Sequence, residues 1–295
     1  MRNTYLIWLE WPESCFRVHE TDLHALRRMI PKGSRIVRAT SEAAFLKALP
    51  TATHAIVWNF SSDWFARAPK LRVLATPAAG QELLPKTGPA GVTIHFGGFH
   101  GAAIAETVVG MALAWCRGIV AAMRSPKCWP RVDLSSTSYC LAGTHAVILG
   151  FGRIGRAIGA KLQALGVRIT GIRRKNFGQL DAAVRTADWL IAALPGDTGT
   201  DNLVDARLLA KVPRRCVVIN VGRGNAVDEV ALVKVLKGGR IAGALLDVFK
   251  DEPLAADRLI AGEIPNLVRL PHASAFYPHY VSDCFEELKK EGLLA

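Results

Sequence analysis

No stretch of this 295-residue chain approaches the roughly 20 consecutive apolar residues that a membrane-spanning helix requires. The opening segment, Arg2-Asn3-Thr4-Tyr5-Leu6-Ile7-Trp8-Leu9-Glu10, has too short an apolar run for a secretory leader and reads as a first strand. The six cysteines (Cys15, Cys116, Cys128, Cys140, Cys216 and Cys284) show neither CxxC nor Cys/His metal spacing. Cys116 and Cys216 sit inside small or apolar runs, where cysteine behaves as a minor hydrophobe. A reduced, cytoplasmic protein with no resident metal and no membrane attachment is expected. Also missing are any block of five or more Lys/Arg and any interleaved basic–aromatic stripe. The net charge of +12, from 37 basic and 25 acidic residues, therefore does not point to nucleic acid. It fits a broadly basic surface, or attraction of an anionic ligand such as a phosphorylated cofactor or a carboxylate substrate. Internal repeats and low-complexity tracts are absent as well.

Half of the residues are hydrophobic and 21% are charged, the balance of a globular chain, and the length suits two domains. Over residues 1–98, strand-like runs at 4–9, 35–38, 54–58, 71–76 and 92–96 alternate with helical periodicity at 22–29, 42–49 and 63–67. Such alternation implies a parallel sheet. Gly97-Gly98 and His100-Gly101 mark a hinge-like break. A continuous helix is predicted over 102–124, apolar nearly all round and so buried, and residues 125–144 read as loop. A second alternation then gives six strands, at 145–150, 167–172, 188–193, 216–221, 241–246 and 267–270. Six is the count of a full dinucleotide-binding sheet, with expected order 3-2-1-4-5-6. A last helix over 280–294 is placed to return to the first domain. The expected division is 1–98 with 276–295 as one domain and 99–275 as the other.

The segment Ala146-Val147-Ile148-Leu149-Gly150-Phe151-Gly152-Arg153-Ile154-Gly155 is a strand entering GxGxxG and then a helix. That context is what a dinucleotide-binding turn requires. Gly150 permits the tight turn, Gly152 lets the backbone approach a pyrophosphate, and Gly155 allows close helix–strand packing. The helix start at Arg153 and Ile154 then offers unpaired N–H groups to phosphate. An NAD site calls for Asp or Glu about 20 residues on. This chain has Ile172-Arg173-Arg174-Lys175 at the end of the second strand instead. Arg173 and Arg174 suit a 2′-phosphate, so NADPH is expected in preference to NADH.

Three later strands each run directly into a chemically capable side chain: Arg223 after 216–221, Glu252 after 241–246 and His272 after 267–270. In an open α/β sheet ligands bind at the carboxyl ends of the strands, so these three are expected to share a site. A guanidinium to grip a carboxylate and an acid–histidine pair to move a proton are the equipment of a 2-keto acid reductase.

Val218-Ile219-Asn220-Val221-Gly222-Arg223-Gly224, Leu246-Asp247-Val248-Phe249-Lys250-Asp251-Glu252-Pro253-Leu254 and Leu270-Pro271-His272 together resemble the signature segments of the D-isomer-specific 2-hydroxyacid dehydrogenases. The likeness extends over about residues 70–275. It implies two doubly wound α/β domains, a flavodoxin-like substrate domain and a Rossmann dinucleotide-binding domain, with a cleft between them. It also implies that Arg223 binds the substrate carboxylate and polarises the keto group. His272 would give the carbonyl oxygen its proton, and Glu252 would pair with that imidazole. By the same resemblance Leu194, Pro195 and Thr200 lie beside the adenosine half of the cofactor. Val221, Gly222 and Asp247 lie beside its nicotinamide half, and Thr107 is a weaker cofactor candidate. Thr76-Pro77-Ala78-Ala79-Gly80 matches a backbone loop holding the substrate carboxylate, with contacts at Ala78, Ala79 and Gly80. Trp58 is a candidate pocket wall favouring small or planar substrates. The Ala-rich helix around Thr107 resembles the family's dimer helix, so a homodimer through 102–124 is expected.

Two features depart from the family. A glycine often found shortly after the catalytic histidine is replaced by Ala273-Ser274-Ala275-Phe276-Tyr277. The chain also ends soon after its last helix, so no C-terminal regulatory domain of the phosphoglycerate dehydrogenase kind is expected. The function implied is NADPH-dependent reduction of a small 2-keto acid, of the glyoxylate/hydroxypyruvate type, to the D-2-hydroxy acid. Two alternatives share the fold: a dinucleotide-sensing protein of the co-repressor type, and a formate- or phosphite-type dehydrogenase. The intact Arg, Glu and His favour an enzyme over the first, and Arg173-Arg174 argues against the NAD bias of the second.

Overall fold

The computed structural model describes residues 2–264 and 266–295; Met1 and Pro265 lie outside the described residues. The chain divides into two units, Met1–His100 with Phe276–Ala295, and Gly101–Ala275. Among the described residues no helix is long and apolar enough to cross a membrane.

The first unit is built on five parallel strands: β1 (Thr4–Trp8), β2 (Arg35–Arg38), β3 (His54–Val57), β4 (Val73–Thr76) and β5 (Thr93–Phe96). Their order is β2-β1-β3-β4-β5, the flavodoxin-like arrangement. The inner strands β3 and β4 are buried throughout and accordingly read as unbroken apolar runs, whereas the edges β2 and β5 are partly exposed. Helices Glu20–Met29 and Glu42–Ala48 connect the first strands, the second capped by Ser41, whose side chain accepts the Ala44 N–H. The C-terminal helix, Tyr280–Lys290, belongs to this unit. It is tied to β5 through His95, whose Nε2 lies 3.3 Å from Glu287 and whose Nδ1 lies 3.1 Å from Glu291.

The second unit carries six parallel strands: β6 (His145–Leu149), β7 (Arg168–Ile172), β8 (Trp189–Ala192), β9 (Val217–Asn220), β10 (Gly243–Leu246) and β11 (Leu267–Arg269). All six predicted strands are present, but their order is β7-β6-β8-β9-β10-β11. Counted within the unit this is 2-1-3-4-5-6, not the expected 3-2-1-4-5-6. The connection after β7 explains the difference. Its helix Leu180–Val184 packs Leu180 and Val184 into one apolar cluster with Val147 and Leu149 of β6. The chain thus passes over β6 and delivers β8 to its far side, leaving β7 as the edge. The glycine turn still follows β6, and Arg223, Glu252 and His272 still follow β9, β10 and β11.

The predicted helix over 102–124 is two helices, Gly101–Cys116 and Ile119–Arg124, separated at Gly118, which takes a left-handed φ of 71°. It is not buried all round either. Ile104, Ala105, Val108 and Met111 join a core cluster with Ile148 and Ile158, while Ala102, Glu106 and Gly110 line an exposed side. Within 125–144, read as loop, lies a short helix, Arg131–Thr137. Its Ser and Thr hydroxyls bond back to carbonyls three or four residues earlier (Ser135 to Val132, Ser136 and Thr137 to Asp133). Residues that usually signal loops here satisfy themselves within a helix, which is why composition concealed it.

Candidate active site

Three strand ends in the second unit build the site. After β9, Asn220 shapes the turn: its Oδ1 accepts the Gly222 N–H at 3.1 Å and its Nδ2 donates to the Arg223 carbonyl at 3.0 Å. That fixes the backbone from which the half-buried Arg223 side chain extends. After β10, the Glu252 carboxylate folds back so that Oε1 accepts the Phe249 N–H at 2.8 Å. After β11, His272 adopts a positive φ of 52°, uncommon for a residue with a side chain.

Asp247 holds that conformation. It is fully buried, its carbonyl accepts the His272 N–H at 2.8 Å, and its carboxylate accepts the N–H groups of Ala273 at 2.8 Å and Ser274 at 3.1 Å. Successive backbone N–H groups around a carboxylate form an anion nest. The loop that lacks the family's usual glycine is thus set by Asp247, and both its oxygens are engaged there.

The result is a direct pair: Nδ1 of His272 lies 2.7 Å from Oε2 of Glu252. The hydrogen bond to Glu252 raises the His272 pKa; burial opposes it, the charges of Glu252 and Asp247 reinforce it, and Arg223 works against it. For Glu252, burial alone would push the pKa up. The bonds from His272 and the Phe249 N–H, with the charges of His272 and Arg223, outweigh it and the net direction is down. Arg223 therefore lies within electrostatic reach of both partners. A carboxylate that favours the protonated form of its partner imidazole, with a guanidinium nearby, can bind an anion and deliver a proton to it.

At the other end of the sheet the glycine turn is sterically obligatory. A Cβ on Gly150, whose φ is 84°, would fall 2.3 Å from the Ala193 carbonyl oxygen, and one on Gly155 would fall 2.3 Å from that of Gly150. In front of Gly152 nothing lies within 4 Å. That open space at the start of the helix Arg153–Ala164 fits a pyrophosphate approached by backbone N–H groups. Arg173 donates through Nε to the Phe151 carbonyl at 2.6 Å, lying over the turn, and Arg174, 91% exposed, pairs with Asp197 at 3.4 Å. Arg173 thus lies against the glycine turn, while Arg174 follows it in sequence and faces Asp197.

The remaining candidates have mixed surroundings. Val221 and Gly222 are buried, while Leu194 is half-buried and Pro195 exposed. The Thr200 hydroxyl is buried and donates to the carbonyls of Pro195 and Asp197, shaping its own turn. Thr107 donates to the Ser274 carbonyl at 3.2 Å, touching the His272 loop. In the first unit, Ala78 and Ala79 are half-buried and Gly80 is buried. The Ala78 N–H already meets the Thr76 hydroxyl at 3.3 Å. Trp58 is 7% exposed, donates its indole N–H to the Phe16 carbonyl at 3.0 Å and stacks beside Tyr280. Sequence reasoning missed Asn220 and the work of Asp247 on the His272 loop. The available signal was a polar side chain ending an otherwise apolar strand, where an unpaired group is costly to bury.

A family model described as D-isomer specific 2-hydroxyacid dehydrogenase, NAD binding domain, matches residues 109–274. A glyoxylate reductase from Thermofilum pendens is 32% identical over 229 residues, covering 70% of this chain and 67% of the relative. Among solved structures, a D-isomer specific 2-hydroxyacid dehydrogenase family protein from Aeromonas salmonicida superimposes with a TM-score of 0.77 at 25% identity. That match covers 99% of this chain and 96% of the other. An NADPH-dependent glyoxylate/hydroxypyruvate reductase from Sinorhizobium meliloti, in complex with NADP and malonate, gives 0.69 at 26% identity. It covers 98% of this chain and 92% of that one.

Proposed function

The chain belongs to the D-isomer specific 2-hydroxyacid dehydrogenase family, and on that premise we propose that it uses NADPH to reduce a small 2-keto acid, glyoxylate or hydroxypyruvate, to the D-2-hydroxy acid. Membership makes it an NAD(P)-dependent oxidoreductase. The observation that carries the finer reading is the 2.7 Å bond between His272 and Glu252 with Arg223 acting on both.

In this reading His272 protonates the keto oxygen through Nε2, since Nδ1 is committed to Glu252. Glu252 keeps the imidazole oriented and loaded. Arg223 grips the substrate carboxylate and polarises the carbonyl, an anion match suited to a guanidinium fork. In the first unit we assign the backbone at Ala78, Ala79 and Gly80 to carboxylate binding, with Trp58, whose carbonyl accepts from the Thr76 hydroxyl, beside that turn. NADPH, when bound, supplies the hydride. Gly150, Gly152, Arg153, Ile154 and Gly155 would hold its pyrophosphate, Arg173 and Arg174 its 2′-phosphate, and Val221 and Gly222 would border its nicotinamide end. Leu194 and Pro195 would line the adenosine side, with Thr200 fixing their turn, and Thr107 acts through the His272 loop. Asp247, each of whose oxygens accepts one N–H of that loop, has acceptor capacity left for the nicotinamide end of the cofactor.

Residues 1–98 with 276–295 form the substrate domain in this scheme and 99–275 the cofactor domain, in a reduced cytoplasmic setting. The assembly we propose is a homodimer through the region 102–124 and the segment after it. Met123, Trp129 and Val132 are each about 80% exposed there, a cost that a second copy would relieve.

The test is a panel of glyoxylate, hydroxypyruvate, pyruvate and phenylpyruvate with NADPH and with NADH, followed by loss of nicotinamide absorbance. The first two substrates are expected to turn over fastest, with NADPH. Turnover of none of the four with either coenzyme would sink the proposal.

A further inference from the structure

We propose that Glu229 and Arg258 form a positioning clamp on the turn that carries Glu252, and so hold its carboxylate against His272. The inference rests on the reading of Glu252 and His272 as the proton-delivering pair.

Glu229 is the first residue of the helix Glu229–Lys237, a start fixed by Asp228, whose side chain accepts the Ala231 N–H at 3.0 Å. Although charged, Glu229 is only 8% exposed, and a carboxylate is buried only when its oxygens are met. Oε1 accepts the Lys250 N–H at 2.7 Å and Oε2 accepts from Nη2 of Arg258 at 2.8 Å. The other arm of Arg258 pairs with Asp251. The two residues immediately before Glu252 are thus gripped, one by its backbone and the other by its side chain, from a rigid helix end. Glu252 adds its own bond to the Phe249 N–H before reaching His272. Removing Glu229 frees the Lys250 N–H and leaves Arg258 holding only the exposed Asp251. The turn then loses its fixed point, and the short Glu252–His272 bond becomes one arrangement among several.

A clamp that merely stabilised the fold would lower the active fraction and scale the whole pH profile. A positioning clamp moves the profile. The charged groups facing His272 are Glu252 and Asp247, which follow β10, and Arg223, which follows β9; the Glu229 and Arg258 variants below alter none of them.

The experiment compares wild type, Glu229→Gln, Arg258→Met, Arg258→Lys and Glu252→Gln. It measures kcat/KM for glyoxylate reduction with NADPH from pH 5.5 to 9.5, and NADPH affinity by fluorescence. The ring titration of His272 is followed by NMR, which reads the same shift without turnover. The basic limb of Glu229→Gln and Arg258→Met should move down by about half to one pH unit, costing up to about tenfold at pH 8 and little at pH 5.5. Arg258→Lys should recover part of the shift, and NADPH affinity should not change. Profiles and titrations that superimpose on wild type after scaling, in whichever of the two variants folds, overturn the clamp alone. An unmoved His272 titration in Glu252→Gln overturns the pairing beneath it, and the clamp with it.

Discussion

Nδ1 of His272 and Oε2 of Glu252 lie 2.7 Å apart although the residues are 20 positions apart in sequence and end different strands. The bond lifts the imidazole pKa above its ordinary 6.5, so the proton stays on His272 to a higher pH than in the unfolded chain. In the proposed mechanism, reduction consumes that proton. Its kcat/KM should be flat below the raised pKa and fall tenfold per pH unit above it, and oxidation of the hydroxy acid should show the mirror image. Replacing His272 by Ala should lower kcat for reduction by roughly 10²–10⁴. A pH–rate series in both directions checks the sign, and a His272→Ala enzyme with near-normal kcat would remove His272 from the mechanism.

Arg223 is held by a turn that Asn220 closes from both sides, and it acts electrostatically on Glu252 and His272. Lysine at this position would keep the charge but lose the planar fork. Arg223→Lys should therefore lower kcat/KM by about 10²–10³, a loss comparable to that of one preorganised donor at a developing oxyanion. NADPH affinity, measured by fluorescence, should stay near wild type. Equal loss of coenzyme binding would indicate that the arginine serves the cofactor.

Much of this arrangement was legible in the sequence because β9 and β10 are buried on both faces and the edge strand β11 begins with the buried Leu267. Their apolar runs end where the sheet ends, so Arg223, Glu252 and His272 fall at one edge by counting alone. The strand order was not legible in the same way. It depends on Leu180 and Val184 choosing the face of β6, a long-range packing preference with no local signature. The split at Gly118 hid behind a composition that is helical on either side. Asp247 was read as a cofactor contact by resemblance; its engagement by Ala273 and Ser274 arises only once β10 and β11 are paired.

Arg173 and Arg174 follow the edge strand β7 beside the glycine turn, where an NAD site would place a carboxylate. Arg173 is already oriented by the Phe151 carbonyl, while Arg174 is 91% exposed and only loosely paired. Charge-assisted bonds to phosphate are worth about 1.5–3 kcal/mol each. Arg173→Ser and Arg174→Ser together should weaken NADPH binding by about 10²-fold or more and leave NADH nearly unchanged. Titration of both coenzymes against wild type and the double variant checks this. Parallel losses for the two coenzymes would mean that the pair serves the turn and not the phosphate.

His54 makes a stability prediction independent of catalysis. It begins β3, is 1% exposed, stacks on Tyr5 with ring centroids 4.3 Å apart, and lies 2.8 Å from the Thr53 hydroxyl. Burial, with the Arg72 charge adding to it, lowers its pKa to about 4 from an ordinary 6.5. Between those values the unfolded chain binds the proton and the folded unit does not, so stability is full above pH 6.5 and drains away as pH falls toward 4. The whole span corresponds to about 3 kcal/mol. His145, buried at the start of β6 with its pKa also lowered, acts with the same sign in the second unit. His54→Phe keeps a ring against Tyr5 and removes the titration, and Thr53 retains its bonds to Thr4. Urea unfolding of the full chain at intervals from pH 4.5 to 7.5 should show a shallower loss of midpoint on acidification for this variant. An identical slope in both proteins would mean that the imidazole takes its proton without leaving the folded unit.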